Sequence, residues 1–245
     1  MGSSRTALRP HAIDAAVNLQ DMTFAWGGGA PLLDISDLQI SRGERVFLHG
    51  PSGSGKSTLL GLLGGVLTPA AGRLDVLGQD LSRLGRRACD RFRADNFGII
   101  FQMFNLLPYL SVKDNVLLSC RFSKSRAERA EAQGGMTAET DRLLTVLGLP
   151  QDALGRRVVE LSVGQQQRVA AARALIGQPQ LIIADEPTSA LDADRRRVFV
   201  DLLSDECTAS GATLVFVSHD LSLASSFDRM ISLNEINRAS DKEVV

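Results

Sequence analysis

The chain of 245 residues is short of cysteine, of net charge and of long hydrophobic runs, and each shortage excludes something. Its three cysteines, Cys89, Cys120 and Cys207, are far apart and odd in number, with no C-x-x-C pair. A disulfide framework is therefore not expected, and a reducing cytosol is the natural home. A formal net charge of −1 lacks the basic excess of a dedicated nucleic-acid binder, so no nucleic-acid partner is expected. The clustered arginines Arg83, Arg86, Arg87, Arg91 and Arg93 are interleaved with acids, as on a solvated helix face. No apolar stretch approaches the roughly 18–20 residues that cross a bilayer. The start, Met1 to Pro10, also lacks the apolar core of a secretory signal. Met1–Thr6 fits the loose myristoylation pattern M-G-x-x-x-[ST], although an unstructured N-terminus explains the same residues with fewer assumptions. Internal repeats and low-complexity segments are also missing.

What is present is 44% hydrophobic content, enough for one sizeable core with a smaller subdomain. The stretch around which the rest is organised is Gly50-Pro51-Ser52-Gly53-Ser54-Gly55-Lys56-Ser57-Thr58, which satisfies G-x-x-x-x-G-K-[ST]. Arg45 to His49 before it reads as a short buried strand. Leu59, Leu60, Leu62 and Leu63 after it recur at helical spacing. That is the strand–loop–helix context of a phosphate-binding loop. Its glycines let successive N–H groups point inward at a triphosphate lying on the positive end of the following helix. Lys56 is placed to reach the β- and γ-phosphates, the Ser57 hydroxyl to ligate Mg²⁺, and Thr58 to contact the α-phosphate.

Val17 to Trp26 and Leu32 to Ile40 read as two strands flanking Gly27-Gly28-Gly29, a hairpin laid ahead of the main sheet. Trp26, the only tryptophan, could stack on a purine, although core packing is the ordinary fate of a Trp. Leu74 to Leu77 is a short returning strand. From about Leu81 to Leu161 the sequence turns helical and charged, with only Phe97 to Phe101 reading as strand. Helical patterns at Val112 to Cys120, Ser123 to Gln133 and Thr137 to Leu147 suggest an inserted helical subdomain. Alternation then resumes: helix Val163 to Ile176, strand Leu181 to Ala184, helix Arg195 to Leu203, strand Thr213 to Val217 and a last strand Asp228 to Leu233. Strands separated by helices imply a parallel sheet with right-handed crossovers. The expected organisation is a flexible start at 1–16, one nucleotide-binding domain at 17–235 and a short polar tail at 236–245, with no appended regulatory domain.

Leu181 to Ala184 runs into Asp185-Glu186, which puts two carboxylates at the carboxyl edge of the sheet beside the P-loop. A strand can end in acids for solubility alone. About 130 residues after a P-loop, in an α/β pattern, the functional reading is preferred: Asp185 for Mg²⁺ and Glu186 for the water that attacks the γ-phosphate. Leu161 to Arg168 opens a helix with Ser162 at the N-cap, and such an N-terminus is itself an anion site, or an ordinary capped helix.

Taken in order, the P-loop, Gln102, Leu161 to Gln165, Asp185-Glu186, Ser189 to Asp192 and His219 resemble the ATP-binding cassette ATPases over about residues 17 to 235. The L-S-x-G-Q element together with Asp185-Glu186-Pro187-Thr188-Ser189 makes the resemblance specific. It implies an α/β P-loop NTPase fold: a RecA-like, mostly parallel sheet core with an N-terminal antiparallel β subdomain and an inserted helical one. It also implies that two copies close head to tail, each ATP lying between the P-loop of one and Ser162, Gly164 and Gln165 of the other. By the same likeness Gln102 touches Mg²⁺ and the attacking water, Asp192 crosses the interface, His219 reaches the γ-phosphate, and Trp26 stacks on adenine. Glu186, His219, Gln102 and Lys56 are then the catalytic candidates, with ATP and Mg²⁺ as cofactors.

One residue departs from the pattern. Val163 stands where the family usually has glycine, and a β-branched residue resists the positive φ that glycine allows. If that geometry is required, closure is weakened; with Gly164 retained, ATP trapping is expected to survive with slower turnover.

Leu62 to Gly65, Phe101 to Leu107 and Gln165 to Arg168 look most like the LolD, MacB and FtsE-like branch. That likeness implies an ATPase held at the cytoplasmic face of the inner membrane by an FtsX/MacB-like permease, in systems that extract lipoproteins, drive efflux or transmit force. The apolar Met103 to Leu107 run then suits either a seat for the permease's coupling helix or packing within the helical subdomain. The competing reading is a soluble cassette ATPase acting on DNA or ribosomes. The stretch from Lys56 to Ser162 is too short for the long coiled coil of the chromosomal members, and there is one cassette where translation-type members have two. A regulatory module without turnover would be expected to lack Glu186.

Overall fold

Val17, Leu19, Met22 and Phe24 are buried along strand β1 (Ala15–Phe24), yet strict alternation fails between Leu19 and Met22. The pairing register shifts there, and Asp21 takes a left-handed conformation (φ 46°), so one extra residue returns the second half of the strand to the same face. Strand β2 (Leu33–Ser41) pairs antiparallel with β1, and β4 (Ala71–Val76) pairs on its other side, followed by β5 (Gln79–Asp80). These form a sheet of order β2-β1-β4-β5. The computed structural model describes residues 15–239. The Met1–Thr6 pattern and the last residues of the expected tail lie outside them, whereas Ala15 and Ala16, expected to precede the domain, are buried in β1.

The second sheet contains β3 (Arg45–His49), β6 (Phe97–Ile100), β7 (Leu181–Asp185), β8 (Thr213–Val217) and β9 (Arg229–Ser232) in the order β6-β7-β8-β3-β9, every pair parallel. β8 is buried at all five positions, and Leu214 to Val217 make the continuous apolar run of a strand covered on both faces. Alternate residues divide between two cores. Phe47, Ile100, Ile182, Leu214 and Phe216 face one core, which also holds residues of α3 (Val112–Phe122), α5 (Met136–Val146), α6 (Val163–Leu175) and α7 (Ala193–Ser210). Val46, Leu48, Ile183, Val215 and Val217 face the other, with the leucines of α1 (Lys56–Leu63) and the inner face of the antiparallel sheet. The parallel sheet is thus the middle layer. The span expected to be a helical insert contributes β6 to this layer. It also contains α2 (Arg86–Asn96), which buries no residue, and α4 (Lys124–Ala132). α7 runs well past the expected Leu203, because the small residues Ser204 and Cys207 are buried; it ends at Gly211, φ 68°.

The helices after β6 are fastened by a buried cation. Arg126 of α4 is 2% exposed and donates to the carbonyls of Phe97 (2.9 Å), Ala174 (2.7 Å) and Ile176 (2.8 Å). The last carbonyls of a helix have no partner within it, and a cation at that end also meets the negative pole of the helix dipole. Burial pushes the Arg126 guanidinium down to about 10, so it remains charged at neutral pH. Beside it, Gly98 lets β6 approach α6 closely: a Cβ there would overlap the Ala174 carbonyl oxygen and come within 2.5 Å of Ile182 Cδ1. Gly98→Ala should therefore destabilise the protein by about 1–3 kcal/mol or more, read as a lower urea midpoint at unchanged slope.

Candidate active site

The P-loop leaves the carboxyl end of β3 and enters α1, whose leucines 59, 60, 62 and 63 are buried and fix the helix start against the sheet. Gly53 (φ 81°) and Gly55 (φ 96°) take left-handed conformations that a side chain would resist, which turns the loop around its own amides. Lys56 Nζ donates to the carbonyls of Gly50 and Pro51, both at 2.8 Å, so the ammonium sits at the mouth of the loop. Ser54 Oγ is buried and lacks a hydrogen-bond partner. A loop that turns on left-handed glycines into a helix start and holds a cation and an orphaned hydroxyl suits a polyanion such as a nucleotide triphosphate.

Ser57 Oγ, on the first turn of α1, lies 3.5 Å from Asp185 Oδ2 at the end of β7. Burial, and then the neighbouring Glu186, push the Asp185 carboxyl above its ordinary range; Ser57 and Lys56 oppose the shift. A half-buried carboxyl that disfavours its own charge, paired with a hydroxyl, is a hard-oxygen donor set that a Mg²⁺ ion would suit. Among the described residues no group of three or more His, Cys, Asp and Glu could hold a metal ion, so phosphate and water would complete the shell.

Glu186 is one of six described non-glycine residues with positive φ (44°). Its N–H donates to Val217 O (3.0 Å), and its Oε2 lies 2.8 Å from His219 Nδ1. A side-chain-bearing residue in that region costs about 1–3 kcal/mol and persists where its surroundings over-determine it. Here the ends of β7 and β8 hold the backbone while His219 holds the carboxylate. His219 is itself on a braced loop: Asp220 accepts from Arg196 at 2.8 Å, and Arg196 also donates to Leu191 O at 2.8 Å.

Gln102 is exposed two residues beyond β6, at the same sheet edge. Its loop carries two consecutive left-handed residues, Phe104 (φ 58°) and Asn105 (φ 49°). Arg173, on α6, holds both by donating to their carbonyls at 2.6 Å. The sequence reading missed Arg173, and nothing local in sequence marks a side chain that bonds a loop almost seventy residues away. The Met103–Leu107 run has two fates: Phe104 is buried in the helical core, whereas Met103 is 82% exposed.

The structure brings the P-loop, Asp185, Glu186 and His219 together and places Ser162, Gly164 and Gln165 in a second group. These last line a cavity of about 190 Å³ with Leu191 and Arg195, to which no P-loop residue contributes. Ser162 caps α6 in a capping box with Gln165: Ser162 N donates to Gln165 Oε1 at 2.9 Å, and Gln165 N to Ser162 Oγ at 3.4 Å. Asp192 caps α7, accepting from Arg195 N at 3.0 Å. Trp26 is 59% exposed, its ring edge-on to Phe24 at 5.0 Å.

The positive φ that Val163 would resist is not required of it. Val163 is the first residue of α6 and is absent from the positive-φ residues; it has ordinary helical geometry, with a half-exposed side chain. Gly164 does not need a left-handed φ either. Nor does space within one chain demand glycine, since a Cβ there would stand 3.4 Å from Leu191 Cδ2, an ordinary contact.

The family model described as ABC transporter matches residues 33–189. The chain is 42% identical over 233 residues to the macrolide export ATP-binding/permease protein MacB of Marinobacter nauticus, covering 94% of this chain and 34% of that protein. It thus spans about a third of the length of such MacB relatives. It is 41% identical over 203 residues to the lipoprotein-releasing system ATP-binding protein LolD of Anaeromyxobacter dehalogenans, covering 83% of this chain and 82% of that protein. Among solved structures, the dimeric post-hydrolysis state of the ATP-binding cassette MJ0796 bound to ADP and Pi superposes with a TM-score of 0.74 at 34% identity, over 88% of this chain and 93% of that one.

With no backbone strain to relieve, Val163→Gly should not speed any turnover that this site supports. It should cost at most about 1 kcal/mol of stability, through the greater freedom of glycine in the unfolded chain. Urea denaturation and steady-state phosphate release measure the two effects.

Proposed function

The chain belongs to the ABC transporter family, and from that membership we propose that it binds ATP between two head-to-tail copies of itself, hydrolyses it, and drives an FtsX/MacB-type permease. The observation that carries the reading is the 2.8 Å contact between Glu186 Oε2 and His219 Nδ1 beside a complete P-loop. It holds a carboxylate at the sheet edge where the γ-phosphate of a P-loop nucleotide would arrive.

In this reading the P-loop amides of residues 50–58 and Lys56 bind the phosphates, Thr58 reaches the α-phosphate, and Trp26 stacks on the base. Ser57, Asp185 and Gln102 hold Mg²⁺, which supplies charge neutralisation of the phosphates. Glu186 takes the proton of a water as its oxygen bonds to the γ-phosphorus and the bond to the β-phosphate oxygen breaks, with ADP as leaving group. His219 orients Glu186, and Gln102 positions the water. Ser162, Gly164 and Gln165 serve the nucleotide of the second copy, with Asp192 crossing between the copies. Their separation from the P-loop within one chain, around a cavity of their own, supports that arrangement.

The partner reading is supported by a groove of about 1130 Å³ that runs beside the Gln102 loop. Phe97, Ile99, Phe101, Leu118 and Phe122 line it, and Phe122 is 78% exposed. Charged residues, among them Arg87, Arg91, Lys124 and Glu128, share the lining, so an open groove with both apolar and charged walls lies next to the Gln102 loop, where a permease segment could sense nucleotide state. Among the described residues no helix is long and apolar enough to cross a membrane, so attachment to the cytoplasmic face would come through that permease.

Glu186→Gln should retain ATP binding, lower hydrolysis by about a hundredfold or more, and accumulate a dimer with ATP and Mg²⁺ on size-exclusion chromatography. Turnover at the wild-type rate would refute the role of Glu186. The same variant, tagged and captured from detergent-solubilised membranes with ATP, should bring down a permease of the FtsX/MacB kind. Recovery of ribosomal or chromosomal proteins alone would favour the soluble reading.

A further inference from the structure

We propose that Asn237 is a positioning residue for nucleotide binding, whose carboxamide registers the Trp26 hairpin against the two glycine ends of the P-loop. The inference rests on the ATP-binding reading above. Asn237 follows α8 (Leu233–Ile236), the single turn of helix that leaves β9, and is 3% exposed. Its backbone N–H donates to Leu233 O at 2.9 Å, and the residue forms an antiparallel bridge with Ile35. Its side chain makes three hydrogen bonds: Oδ1 accepts from Asp34 N (2.8 Å) and Ala239 N (3.2 Å), and Nδ2 donates to Leu32 O (3.0 Å). Two N–H donors on one side and a carbonyl on the other fix which way the amide points.

What lies on either side of this clamp gives it a role in the site. Leu233, the first residue of α8, backs Gly50 at the start of the P-loop: a Cβ on Gly50 would stand 3.3 Å from Leu233 Cβ. Leu33 backs Gly55 at the other end, where a Cβ would stand 2.8 Å from Leu33 Cδ2. Leu33 and Leu233 are both fully buried. Asn237 bonds both chain neighbours of Leu33, Leu32 and Asp34, and is itself bonded to Leu233. One carboxamide therefore joins the two segments that wall the loop. The same grip reaches the base side of the site, since Leu32 N donates to Phe24 O at 2.8 Å and closes the hairpin that presents Trp26.

A nucleotide must satisfy the phosphate loop and the aromatic face together, so its affinity depends on the distance between them, and a small misplacement is costly. A ligand that touches only the P-loop is indifferent to that distance. This separates positioning from simple destabilisation. Removing the carboxamide also takes away three half-buried hydrogen bonds, a loss of folding stability that is the same whichever ligand is offered.

The test compares MgATP with magnesium tripolyphosphate, which has no base, by calorimetry on the full chain. Asn237→Ala should raise the Kd for ATP about tenfold and change that for tripolyphosphate less than about twofold. Trp26, as the only tryptophan, should be more accessible to acrylamide in the ATP-bound variant than in the ATP-bound wild type. Asn237→Asp, which keeps the acceptor for Asp34 N but loses the donor to Leu32 O, should fall between them. Equal weakening of both ligands, or of neither, overturns the proposal. Should the variants not fold, reciprocity gives a measurement on the wild type. Amide exchange in the segment holding Asp34 should be slowed more by ATP than by tripolyphosphate, and equal protection overturns the proposal. A wild-type chain that does not bind ATP at all overturns the nucleotide reading itself, whereas binding that ignores Asn237 defeats the clamp alone.

Discussion

Every strand of the central sheet runs in the same direction, and the candidate site depends on that constraint. Because β6, β7, β8, β3 and β9 are parallel, the residues that follow them emerge along one edge. Gln102 follows β6, Glu186 follows β7, His219 follows β8, the P-loop follows β3 and Leu233 follows β9. Parallel strands need crossover connections, and those crossovers supply the helices that cover both faces. Had one pair been antiparallel, a member of this group would have emerged at the opposite edge.

Loops at that edge carry strain, and long-range donors hold them. Glu186, Phe104 and Asn105 all have positive φ. Val217 O and His219 restrain the first, and Arg173 binds the carbonyls of the other two. Arg126 and Asn237 act in the same way on the ends of α6 and β2. Loop carbonyls and amides buried away from water must find partners or lose about 1–3 kcal/mol each. A few side chains with several donors satisfy that requirement while also fixing where the loops stand.

The L-S-x-G-Q element at the start of α6 is built differently. Ser162 and Gln165 close a capping box on α6, which satisfies the amides of those two residues, and Val163 is the first residue of the helix so capped. Its distance from the P-loop group within one chain makes two half-sites, each with its own cavity or loop. In the proposed head-to-tail pair each half-site finds its complement on the second copy, and the ATP between them would tie dimerisation to nucleotide state.

Much of this was legible in the sequence, because it is written in short-range chemistry. The G-x-x-x-x-G-K-S motif, the Leu59–Leu63 pattern, the apolar run into Asp185-Glu186 and the Ser162 cap each depend on residues within one or two turns or strand pairs, where periodicity and capping act directly. Strand Thr213–Val217 and the end of β3 at His49 fell where the apolar runs placed them. The bulge at Asp21, the length of α7 and the conformation of Val163 were not legible. The first depends on which face the sheet buries, the second on small residues that pack like apolar ones, and the third on whether the position lies inside a helix. The sequence by itself determined the strand–loop–helix units and the residue types that each would present. Only the tertiary structure decided that Arg173, Arg126 and Asn237 hold those units in register, because hydrogen bonds across roughly 50 to 200 residues exist only after the chain has brought distant carbonyls into reach.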